Sequence, residues 1–276
     1  MKRHKIIVGN WKMNLTVPES TLLLERLVKT IKAEKTEVVV CPTSLAIYSA
    51  QEIVRTADIK IGAQDAHFED SGAFTGEVSA HQLKGFVSHS IVGHSERRKY
   101  FGEGDKVVAK KAAACVRHNI TPIVCVGETL HEKQDDLTKL VVAGQLEASL
   151  ADLTGDEIAK AVVAYEPVWA IGTGHVCDSK VANGVAKNIR NLIKVLHGAK
   201  VADSVHILYG GSVDELSAES FLKEAEIDGL LIGGSSLDFQ KFTEIVNLAE
   251  GRVEPKSKKS NTKKSVPKPK NTKKKK

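Results

Sequence analysis

Short apolar, β-branched runs recur through the first 251 residues, at 6–8, 38–40, 59–61, 89–92, 123–126, 162–165, 206–209 and 229–232. Between them lie longer segments whose apolar residues return every three or four positions, as Leu22, Leu23, Leu24, Leu27, Val28 and Ile31 do. Segments 105–116, 137–150, 181–196 and 237–248 share that spacing. The short runs predict strands and the longer segments amphipathic helices. Ser20, Ser44 and Ser79 are the expected helix caps.

Strands that alternate with helices imply a parallel sheet, because each parallel connection needs a crossover. Eight such units in about 250 residues, with no break in composition, predict a single-domain α/β fold over 1–251, a closed (β/α)₈ barrel. A doubly wound open sheet is the rival. From residue 252 the pattern stops. Segment 252–276 has three prolines, a repeated Asn-Thr-Lys-Lys and almost nothing apolar, so it is expected to be a disordered Lys-rich tail.

That tail also explains the charge. The chain carries a net +6, yet 252–276 alone holds eleven Lys and one Arg against one Glu, which leaves 28 basic and 33 acidic residues before it. The folded part is therefore acidic and the basic balance belongs to the tail. No run approaches the roughly eighteen apolar residues of a membrane span, and the apolar run after Met1-Lys2-Arg3-His4-Lys5 is too short for a signal peptide. Cys41, Cys115, Cys125 and Cys177 show no paired spacing, so reduced thiols and a cytoplasmic location are expected.

Several strand ends carry chemistry. Run 162–165 ends on Glu166, followed by Pro167, Trp169 and a loop reaching Gly172-Thr173-Gly174-His175. A carboxylate at the functional end of a barrel strand is a candidate general base, and a stiff loop with short hinges is a candidate lid. The plain alternative is an ordinary loop with a solvated Glu. "VGNWKMN" places Lys12 between Asn10 and Asn14 after the first strand, where an ammonium can hold a phosphate or offset charge on an oxygen. Trp11 and Met13 read as packing residues. "IVGHSERR" puts His94 at the start of a helical turn, which disfavours imidazolium. "YGGSV" (209–213) and "IGGSSL" (232–237) are Gly-Gly turns after the last two strands, with helix starts expected at Ser212 and Ser235. Loops at those two places form a recurrent phosphate site in barrels.

Together "GNWKMN", "GHSERR", "AYEPVWAIGTG", "YGGSV" and "GGSSL", in this order, resemble the triosephosphate isomerase family over about residues 5–249. The resemblance implies a TIM barrel and cofactor-free, metal-free interconversion of dihydroxyacetone phosphate and glyceraldehyde 3-phosphate through an enediol(ate), in glycolysis and gluconeogenesis. It implies Glu166 as the base, neutral His94 as the proton shuttle between substrate oxygens, and Lys12 as the charge-offsetting group beside Asn10. Ser95 and Glu96 would support them. Backbone N–H groups of Gly172, Ser212, Gly233 and Gly234 would hold the phosphate, and 167–175 would close as the lid. "GAFTGE" (72–77) resembles the family's intersubunit loop, which implies a homodimer through the loop around Thr75.

Two positions depart from the pattern: the lid ends Gly174-His175-Val176-Cys177, and Asp65 stands where Asn is commoner. A metal-dependent sugar-phosphate epimerase needs several His and Asp ligands at strand ends, and only His94 is in place. The alternative of another class is a phosphate-binding barrel scaffold whose tail, 252–276, binds nucleic acid or another polyanion weakly and in a salt-dependent way.

Overall fold

The computed structural model describes residues 3–172 and 176–252. Parallel strands β1 (Lys5–Asn10), β2 (Thr36–Cys41), β3 (Lys60–Ala63), β4 (His89–Val92), β5 (Thr121–Val126), β6 (Val162–Tyr165), β7 (His206–Tyr209) and β8 (Gly229–Ile232) pair in chain order, and β8 closes on β1. In that register Ile7 lies opposite Val38 on one side and Leu230 on the other. The closure rules out the open sheet and leaves no exposed edge. The Lys-rich tail, but for Arg252, lies outside the described residues.

Two-residue periodicity divides the strand residues between two cores. Ile6, Val8, Val39, Cys41, Ile91, Ile123, Cys125, Val162, Ala164, Leu208 and Leu231 fill the barrel interior. Their strand neighbours Ile7, Val38, Val40, Val124, Val163, Ile207 and Leu230 pack outward against the helices. The same parity makes Asn10, at the end of β1, and Glu166, Gly210 and Gly233, one step past β6, β7 and β8, the next inward positions at the C-terminal mouth. Strand alternation thus delivers most of the candidate site.

The surrounding helices follow the 3.6-residue spacing. Helix Val17–Thr30 buries Ser20, Leu23, Leu24 and Leu27, and helix Ser179–His197 buries Ala182, Val185, Ala186, Ile189, Arg190 and Ile193. Ser20 is therefore an interior helix residue and not a cap. Thr16 fills that place, forming a reciprocal capping box with Glu19. Thr43, not Ser44, precedes the short 3₁₀ turn Ser44–Ala46. Ser79 does cap, paired with Gln82 at the start of Ala80–Leu83. Among the described residues no helix is long and apolar enough to cross a membrane. All four cysteines are free and buried.

At the closed end of the barrel, where strands begin, His4, Glu37, Lys60, His89 and His206 gather. Glu37 accepts from Lys60 at 2.8 Å and lies 3.3 Å from His4 and 3.5 Å from His89. The His4 and His206 rings are 4.4 Å apart. Burial pushes the His89 imidazole down to about 4, outweighing the opposing pull of Glu37. Burial, then the neighbouring His4, pushes His206 down to about 4 as well.

Both histidines are thus neutral in the fold at a pH where the unfolded chain is already protonated. Their contribution is complete above about pH 6.5 and is lost as pH falls towards 4. Urea unfolding should show His89 costing on the order of 2 kcal/mol at pH 5 relative to pH 7.5, with less from the more exposed His206. A midpoint that is flat between those pH values would contradict the assignment.

Candidate active site

Glu166 follows β6 directly and its backbone N–H donates to the Val126 carbonyl at 2.8 Å, continuing the ladder with β5. The residue is 1% exposed. One carboxylate oxygen accepts from the Ser95 N–H at 2.9 Å and the other lies 3.2 Å from His94 Nε2. The solvated-Glu alternative therefore fails. Room for the carboxylate comes from the neighbouring strand: a Cβ on Gly210 would stand 2.9 Å from Glu166 Cγ.

His94 comes after a sharp turn at Gly93, whose φ of 67° suits glycine. It is the N-cap of helix Ser95–Phe101, and its Nδ1 accepts from the Glu96 N–H at 3.2 Å. A nitrogen that accepts from a backbone N–H carries no proton, which leaves Nε2, facing Glu166, as the place for the ring proton. His94 does stand at a helix start, as the sequence predicts.

Lys12 has a left-handed backbone, φ 53°, unusual for a long side chain. Three contacts hold it there. Its N–H donates to Asn10 Oδ1 at 3.0 Å, its carbonyl accepts from Gln64 Nε2 at 2.9 Å, and the preceding Trp11 is fully buried. Lys12 Nζ donates to Glu96 Oε1 at 2.5 Å. This pair is partly exposed, so its contribution is to orientation more than to stability. Met13 does not pack as expected; it is 94% exposed.

These groups line one cavity of about 620 Å³ at the barrel mouth, together with Gly172, Ser212, Gly233 and Gly234. Gly234 opens the 3₁₀ turn Gly234–Leu237, which includes Ser235. Ser212 opens no helix, since the next one is Ala218–Leu222. Its N–H and hydroxyl both donate to the Ala170 carbonyl, at 3.3 and 2.6 Å. Tight chain reversal after Gly210-Gly211 explains the difference.

The first part of the loop after β6 is anchored by a residue that the sequence alone does not single out. Buried Glu128 accepts from Trp169 Nε1 at 2.7 Å and from the Tyr165 hydroxyl at 3.1 Å, and its carbonyl accepts from the Val168 N–H. Lys133 Nζ lies 3.2 Å above the Trp169 ring centre. Gly172 has φ 67°; Thr173, Gly174 and His175 lie outside the described residues. Cys177 is 2% exposed, and burial pushes its thiol up to about 11, so this departure from the family pattern leaves an inert sulfur. The Asp65 departure is matched by buried Lys111, which reaches both carboxylate oxygens at 2.8 and 2.7 Å. Arg97, from the helix that His94 caps, lies 3.0 Å from Asp65 as well.

A family model described as triosephosphate isomerase matches residues 5–249. The chain is 47% identical to a triosephosphate isomerase of Clostridium tetani over 246 residues, covering 89% of this chain and 96% of the relative. It is 47% identical to one of Clostridium acetobutylicum and 45% to one of Clostridium botulinum, each alignment covering 89% of this chain and 99% of the relative. A closed eightfold barrel, a matched span that includes all eight strands and relatives aligned almost end to end agree: the chain belongs to the triosephosphate isomerase family.

Proposed function

We propose that the protein interconverts dihydroxyacetone phosphate and glyceraldehyde 3-phosphate, a step of glycolysis and gluconeogenesis, with Glu166 as the base. The observation that carries the assignment of residues is the direct contact of a buried carboxylate with the Nε2 side of a neutral imidazole, beside an ammonium, at a glycine-lined mouth. Glu166 takes a proton from substrate carbon after releasing the Ser95 N–H and His94, and returns it to the adjacent carbon. His94 donates its Nε2 proton to the carbonyl oxygen as charge builds there and recovers one from the neighbouring hydroxyl. Lys12 offsets the developing negative charge. The isomerisation oxidises one carbon and reduces its neighbour within the same molecule, so it needs no external oxidant or reductant, and Glu166 and His94 carry the protons that move.

The phosphate is assigned to backbone N–H groups of Gly172, Gly233 and Gly234, and to Ser212 once it exchanges its bond to Ala170. Lid closure over Glu166 excludes water, which strengthens these interactions and protects the enediolate. Burial of Glu166 supports a dry reaction centre.

A homodimer through the loop around Thr75 belongs to the same reading. Met13, Leu45, Tyr48, Phe74 and Phe86 are all exposed and come from the segments that follow β1, β2 and β3, which are adjacent strands. Apolar side chains gathered at one side of a barrel mouth favour a protein partner. A cytoplasmic location is supported by the free thiols. We assign residues 1–251 to catalysis and 252–276 to an accessory role, with weak polyanion attraction through its lysines.

With chelator present, wild-type protein should turn over glyceraldehyde 3-phosphate, and Glu166→Gln should lower kcat by about 10³-fold. Wild-type inactivity, or full activity of the variant, would reject the reaction or the base. Gly210→Ala should fold, as judged by circular dichroism, yet lose about 10²-fold in kcat through displacement of Glu166. An unchanged kcat would show that the close approach is unimportant. Removing 252–276 should leave kcat/KM as it is, and a collapse would contradict the division of roles.

A further inference from the structure

Away from the barrel mouth, Asp70, His81 and His118 bring one ligand atom each to within 4.8 Å of one another, the one such group among the described residues. They come from three places in the chain. Asp70 is on the outgoing stem of the loop that holds Thr75. His81 lies in helix Ala80–Leu83, just past the returning stem, and His118 directly follows helix Asp105–Arg117. His118 is 8% exposed and its Nε2 is 2.8 Å from Asp70 Oδ1. The His81 and His118 rings meet edge to face with centres 5.2 Å apart. Asp70 and His81 also line a hollow of about 420 Å³, which leaves space for bound water.

We infer that Asp70, His81 and His118 form a binding site for a borderline divalent cation of the Zn²⁺ class. Two imidazoles and one carboxylate select Zn²⁺, Co²⁺ or Ni²⁺ over Mg²⁺ or Ca²⁺, which prefer all-oxygen shells. Zn–N and Zn–O bonds of about 2.1 Å put donors in a tetrahedral site roughly 3.4 Å apart. The required contraction is small, within reach of a rotation of the exposed His81 side chain. The cation would take the place of the hydrogen bond between His118 and Asp70, with the His118 ring proton on Nδ1, and a water would complete the shell.

Arg117 is the competitor. Its Nη2 donates to Asp70 Oδ1 at 2.8 Å and to the Phe68 carbonyl at 3.2 Å. Its side chain is half exposed and free to swing aside. Because a cation and Arg117 compete for the same oxygen, removing Arg117 should strengthen binding, which a merely structural cluster does not predict. The site is separate from the catalytic groups, so turnover without metal is unaffected by it.

The test is calorimetric titration of the metal-free full-length protein with ZnCl₂, beside His81→Gln, Asp70→Asn and Arg117→Gln, each checked for folding by thermal unfolding. One Zn²⁺ per chain is expected, weakened at least about tenfold by His81→Gln and by Asp70→Asn and tightened by Arg117→Gln. Co²⁺ should shift the His81 and His118 ring resonances together. Absence of saturable binding, or an affinity that either ligand substitution leaves unchanged, overturns the site; so does weaker binding in Arg117→Gln.

Discussion

Glu166 is buried just past the end of β6, so its side-chain oxygens depend on groups that other elements must supply. The Ser95 N–H donates to one oxygen at 2.9 Å, and His94 Nε2 lies 3.2 Å from the other. Both belong to the start of one short helix, whose position after β4 is fixed by the left-handed turn at Gly93. His94 in turn has its proton on Nε2 because the Glu96 N–H occupies Nδ1. One helix N-terminus therefore anchors the Glu166 carboxyl group and sets the tautomer of His94. A buried polar group without a partner is costly, so the constraint is energetic as well as geometric.

Lys12 is held in a comparable way on the opposite side of the mouth. Its backbone takes a conformation that long side chains avoid, held by Asn10, Gln64 and the packing of Trp11. The ammonium reaches Glu96, on the helix that carries His94. β1, β3 and β4 are thus coupled through side chains before any substrate arrives. Behind them, Asp65, Arg97, Glu103 and Lys111 form an ionic cluster. The extra acid at position 65 is tolerable there because the Lys111 side chain is 3% exposed and points at it.

Strand parity makes much of this legible in the sequence. Ile6 and Val8 predict an inward Asn10, and Val162 and Ala164 predict an inward Glu166, since side chains alternate strictly along a strand. The Gly-Gly turns are visible as places where backbone approaches closely. Other features depend on partners far away in the chain. Ser20 looks like a cap until Thr16 and Glu19 are seen to close the helix a turn earlier. Met13 looks like a packing residue because an apolar side chain carries no mark of whether it is buried in its own chain. Ser212 cannot be separated from a helix start without knowing that Ala170 sits opposite it. Glu128 has no signal of its own; only the approach of Tyr165 and Trp169 identifies it as the anchor of the loop after β6.

The most direct measurement of the central claim is the ¹⁵N NMR spectrum of the His94 ring in the ligand-free protein at neutral pH. The account predicts a neutral ring with its proton on Nε2 and an acceptor signal at Nδ1, lost or reversed when Gly93 is replaced and the helix start moves. An imidazolium, or a ring protonated on Nδ1, would mean that the Glu96 N–H does not set the tautomer and that Glu166 is held in some other way.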